Sequence, residues 1–174
     1  MVTTWKSRTA IALAATALLI CSGLLIVHLF RPTEPLREGP PVAYSTTTLP
    51  PLAREQFLVG NFRIVRKVEE LPPPVRLVFT ENGGSRVLMA DPGKKFLATD
   101  VIYDASLPRK RLIFAGVIDD RCFVHYEQGG LGLTDILALF KLTSKDSVEP
   151  IWRGHCGHAT DIQNLRSLVM SCRE

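Results

Sequence analysis

The stretch Gly154-His155-Cys156-Gly157-His158 is the most chemically suggestive in the chain. Imidazole nitrogen and thiolate sulfur are ligands for zinc or copper, and His155, Cys156 and His158 stand close enough to share one ion. A thiolate beside an imidazole is also a nucleophile. A structural zinc site needs four ligands, however, and no C-x-x-C or H-E-x-x-H pattern supplies the remainder. His125 falls in the middle of an expected strand, away from this loop. The plainer reading is a polar, Gly-bounded turn joining strand to helix. His155, Cys156 and His158 therefore enter as metal-ligand candidates in an alternative reading of function, and no catalytic residue or cofactor is assigned.

Three cysteines follow residue 100: Cys122, Cys156 and Cys172. In an oxidising compartment two of them would be expected to pair. If the chain runs as an up-and-down meander, Cys122 opens one strand at one end of the sheet and Cys156 follows a later strand at the other end, about 20 Å away. A terminal helix starting near Cys156 would carry Cys172 back along the sheet by about 17 Å, toward Cys122. The expected bridge is thus Cys122 with Cys172, with Cys156 left over and Cys156–Cys172 as the second choice.

Other patterns carry less. Gly129-Gly130-Leu131-Gly132 resembles a phosphate-cradling loop only if a helix follows, and Thr134 to Leu142 reads as a strand, so a wide hairpin is expected. Arg109-Lys110-Arg111 could meet anionic headgroups, but a solvated hairpin end compensated by Asp119 and Asp120 accounts for it. Trp152 and Tyr126 are expected as core anchors. No G-x-S-x-G elbow, haem-attachment motif or dinucleotide fingerprint occurs.

The elements that would position these residues are mainly strands. Phe57 to Val68 alternates with Leu58, Phe62, Ile64 and Val68 toward one side. Val75 to Glu81 and Arg86 to Ala90 flank the turn Asn82-Gly83-Gly84-Ser85, and Phe96 to Tyr103 follows the turn Asp91-Pro92-Gly93-Lys94. Arg111 to Asp119, Cys122 to Glu127, Thr134 to Leu142 and Val148 to Arg153 read as a meander. Its runs Leu112 to Ala115 and Ile136 to Phe140 are apolar on both faces, as in central strands. Ile162, Leu165, Leu168 and Val169 form a helical stripe from Asp161 to Ser171, with Thr160 and Gln163 as an expected capping box. The fold class is α+β, mainly antiparallel β: a small barrel or curved meander sheet of about eight strands with a C-terminal helix.

Ahead of this domain, Thr9 to Phe30 is a run of 22 residues without Asp, Glu, Lys or Arg. As a helix it would span about 33 Å, enough to cross a bilayer. It is too long for the apolar region of a cleaved signal peptide, and Ile20 before Cys21 does not suit a lipidation site. Lys6 and Arg8 ahead of it favour a cytoplasmic N-terminus. Six of the twelve prolines lie between Arg31 and Leu52, which makes a semi-rigid spacer. The expected order is a cytoplasmic tail (1–8), a transmembrane anchor (9–30), a Pro/Thr-rich linker (31–53) and an exported β-rich domain (54–174).

The net charge of +4 includes Lys6, Arg8, Arg31 and Arg37 from the first fifty residues, so the domain is close to neutral. That gives no basis for a nucleic-acid partner. The sequence therefore points to a single-pass inner-membrane protein of a bacterial envelope. Its periplasmic or otherwise extracytoplasmic domain would bind a small ligand or a protein partner, or support an assembly, and is more readily a non-enzyme than an enzyme. The alternative is an envelope enzyme or metal carrier using the His155-Cys156-Gly157-His158 loop.

Overall fold

The computed structural model describes residues 49–80 and 86–171. The tail, the anchor, most of the linker, the turn at 82–85 and Cys172 lie outside the described residues. Among the described residues no helix is long and apolar enough to cross a membrane.

The chain enters through a helix, α1 (Pro51–Val59), followed by a short strand β1 (Arg63–Val65), a 3-10 turn (Val68–Glu70) and helix α2 (Pro73–Val78). A two-residue strand β2 (Met89–Ala90) precedes the long strands β3 (Lys110–Ile118), β4 (Arg121–Gln128), β5 (Thr134–Leu142) and β6 (Val148–His155). Helix α3 (Ile162–Ser171) follows. The strands form one open six-stranded sheet in the order β1-β3-β4-β5-β6, with β2 also on the β3 edge. All pairings are antiparallel except β2 with β3.

The meander β3 to β6 and the covering helix follow the hydrophobic pattern of the sequence. The sheet is buried on both faces. Val65, Leu112, Val124, Tyr126, Ile136 and Phe140 pack on one side against Val68, Leu71, Val75 and Phe79. Phe114, Phe123, Leu137, Leu139 and Trp152 pack on the other against Phe57 of α1 and Leu165 and Val169 of α3. Arg166 ties the two helices together by donating to the carbonyls of Phe57 and Gly60.

Five expectations change. The sheet does not close into a barrel. Most of Phe57 to Val68 is not strand, because Pro50 and Pro51 start a helix in which Pro supplies the fixed φ of the first turn. Val75 to Glu81 is likewise replaced by α2 after Pro72-Pro73-Pro74, burying Val75 and Phe79 at helical spacing while Leu77 turns outward. Phe96 to Tyr103 contributes only an isolated bridge between Thr99 and Gly130. At α3 the cap is Asp161, whose Oδ1 accepts from the backbone N–H groups of Gln163 and Asn164 at 2.9 Å each, in place of Thr160.

Candidate functional site

Strands β4 and β5 are joined by the Gly129–Leu133 loop, and their register sets Glu127 directly opposite Asp135 and His125 opposite Leu137. Like charges facing each other across strands are destabilising and need a counter-charge. Arg111 supplies one. A bulge at Ile113 sets it opposite Glu127, where Nε and Nη2 donate to the two carboxylate oxygens at 2.5 and 2.9 Å. This pairing holds the Arg111 pKa above its ordinary value. The Arg111 guanidinium also lies 4.3 Å from the centre of the Phe96 ring. Asp119 and Asp120 sit at the far end of β3, so the compensation expected from them for Arg111 comes from Glu127 instead.

The loop after β6 folds back onto this end of the sheet. Its first backbone N–H, from Cys156, donates to the Asp135 carbonyl at 2.8 Å. His158 Nδ1 lies 3.5 Å from Asp135 Oδ2. His125 anchors the loop from below: its Nδ1 bonds the Ile136 carbonyl at 3.1 Å, and its Nε2 accepts from the Ala159 N–H at 3.3 Å. Those two partners fix the neutral tautomer with the proton on Nδ1. Burial pushes the His125 pKa below its ordinary value, since the charged ring would lose water without gaining an acceptor at Nε2.

The sequence candidates separate here. Among the described residues, the set of His, Cys, Asp and Glu side chains whose ligand atoms lie within 4.8 Å of one another is Glu127, Asp135 and His158. His158 thus joins two strand carboxylates, while His155 is exposed and Cys156 is buried in the apolar layer beneath α3. His125, placed away from the loop by sequence reasoning, is in direct contact with it. The missed carboxylates had a signal: a hairpin centred on Leu131 necessarily pairs 127 with 135 and 125 with 137.

Cys122 carries a free, buried thiol in the layer opposite α1 and α3, and burial pushes its pKa up to about 12. The partner expected for it, Cys172, lies outside the described residues. Trp152 and Tyr126 are both buried, as core anchors should be.

The same end of the sheet carries a surface of another kind. Val101, Ile102, Tyr103, Leu131 and Leu133 are exposed, Leu131 completely. The two loops that bear them are held side by side by the Thr99–Gly130 bridge. Gly129 permits this approach, because a Cβ there would sit 1.8 Å from the Leu97 carbonyl oxygen. The Tyr103 hydroxyl donates to the Phe96 carbonyl at 3.2 Å, and Asp104 caps its own turn through Ser106. No protein-family model, no curated protein and no solved structure matches the chain.

Proposed function

We propose that this is a membrane-tethered binding module of the bacterial envelope. Residues 9–30 anchor it in the inner membrane, the Pro-rich segment spaces it from the lipid, and the extracytoplasmic domain docks a protein partner through its apolar loop tips. The observation that carries the reading is the exposure of five large apolar side chains on two loops fastened to each other. Scattered single apolar residues need no explanation, whereas a grouped set marks an interaction surface.

Asp100 and Asp104 bracket residues 101–103, and carboxylates beside the apolar side chains favour a protein over an anionic bilayer as the occupant. The chain enters the domain through α1, whose Phe57 packs on Phe123 near the start of β4. The loop tips follow the opposite end of that eight-residue strand, about 25 Å away. Within the domain, α1 and the patch thus lie toward opposite ends of β4, and a partner surface with an apolar centre would meet the patch at its end. Among the described residues, Cys122 and Cys156 are buried, and both ring nitrogens of His125 are occupied.

The test is the size of the complex extracted from native membranes in mild detergent. The wild-type chain is expected to migrate in an assembly larger than its own micelle. Ile102→Asp with Leu131→Asp should reduce it to the free chain without lowering the melting temperature, because both positions are exposed. An unchanged assembly would refute the assignment of the patch.

A further inference from the structure

We infer that Glu127, Asp135 and His158 form a binding site for a divalent transition-metal ion of the zinc type. The site is distinct from the apolar patch and does not depend on the docking role proposed for it. One imidazole nitrogen and two carboxylate oxygens suit zinc, whereas imidazole disfavours magnesium and calcium. Bonds of about 2.0–2.2 Å at tetrahedral angles set neighbouring ligand atoms about 3.4 Å apart. His158 Nδ1 and Asp135 Oδ2 are already 3.5 Å apart, and the three donors lie within 4.8 Å of one another, so closing on an ion takes a side-chain adjustment on the order of 1 Å.

A second observation concerns the same carboxylate, through its other oxygen. Asp135 Oδ1 is sealed from solvent and has no hydrogen-bond partner. A carboxylate oxygen in that position is costly unless a cation or donor meets it. Arg111 pairs with Glu127 and His158 Nδ1 faces Asp135 Oδ2, so a metal ion at this point would replace the His158–Asp135 contact and bring its charge to the carboxylate whose Oδ1 has no partner.

The supports are those of a built site. Two ligands stand on paired strands, which fixes their separation. The third lies on a loop held by the Cys156 N–H to Asp135 carbonyl bond and by His125 on Ala159. Arg111 orients Glu127 from outside while each of its oxygens keeps a lone pair for the ion. Three protein ligands leave a fourth position, and the exposure of the His158 side chain opens it to water or an exchangeable ligand. Bound metal would fasten the base of the β4–β5 hairpin to the 156–160 loop.

The experiment uses the full-length chain without an affinity tag, purified in detergent, stripped with chelator and dialysed against Zn²⁺, with metal counted by mass spectrometry. One zinc per chain is expected. His158→Ala, an exposed substitution that should leave the fold intact by circular dichroism, should weaken binding more than about tenfold, and Asp135→Asn should do the same. His155→Ala and Cys156→Ser should retain one zinc, and the cobalt-substituted protein should lack a thiolate charge-transfer band. Absence of stoichiometric zinc from the wild type, or its retention in the His158→Ala, Asp135→Asn double variant, would overturn the site. Either result would leave the apolar-patch test unaffected.

Discussion

His125→Phe isolates the link between the sheet and the 156–160 loop. Phenylalanine keeps a planar ring in the place where His125 meets Phe114 edge to face, with centroids 5.5 Å apart. It removes both polar contacts and orphans the Ile136 carbonyl lone pair and the Ala159 N–H. At about 1–3 kcal/mol for each buried group left unsatisfied, the expected loss is about 2–6 kcal/mol near pH 7.5. The pH dependence gives a sharper signature. The unfolded chain protonates this ring as pH falls through its ordinary value of 6.5, while the native ring stays neutral until a lower pH because burial depresses its pKa. The stability His125 contributes is therefore present above pH 6.5 and lost as pH falls from there through the lower native value. The variant titrates at this position in neither state, so the stability gap between wild type and variant in urea unfolding should be narrower at pH 5.5 than at pH 7.5. A gap that stays constant or widens, or a variant within about 0.5 kcal/mol of wild type at pH 7.5, would refute the buried, neutral, doubly bonded histidine.

Three further outcomes follow from the same geometry. Cys122, with its thiol raised to about 12 by burial, should resist alkylation in the native protein and label on unfolding without reductant; labelling that requires reductant would restore the Cys122–Cys172 bridge expected from the sequence. Gly129→Ala puts a methyl group into the Leu97 carbonyl, so it should cost about 1–3 kcal/mol and loosen the apolar loops, seen as faster amide exchange at 97–103 and 130–133; unchanged exchange would contradict the close approach. Replacing residues 1–30 with a cleavable signal should release a soluble domain with the wild-type melting temperature, because the core formed by the sheet and its covering helices lies after residue 48; aggregation would mean that the apolar segment packs on the domain.

The second half of the fold was legible because each strand of the meander carries an apolar run bounded by Gly, Asp or Ser turns. Leu112 to Ala115 and Ile136 to Phe140 could be placed centrally because they are apolar on both faces. The first half was not, since short segments satisfy two periods at once. Val75, Leu77 and Phe79 alternate like a strand, yet the preceding prolines initiate a helix that buries Val75 and Phe79, half-buries Val78 and leaves Leu77 exposed. Of the site, His158 could be singled out by residue type. Its carboxylate neighbours depend on the hairpin register, and the contact with His125 depends on a loop folding back over the sheet, which no local pattern encodes.

Photo-crosslinking in intact cells tests the docking surface most directly, with a photoreactive residue placed at Leu131 or, as control, at Val59, which is 77% exposed on α1. The account predicts one discrete protein adduct from position 131, absent from position 59, recovered in the membrane fraction and abolished by Ile102→Asp. No adduct from position 131, or the same adducts from both positions, would contradict it.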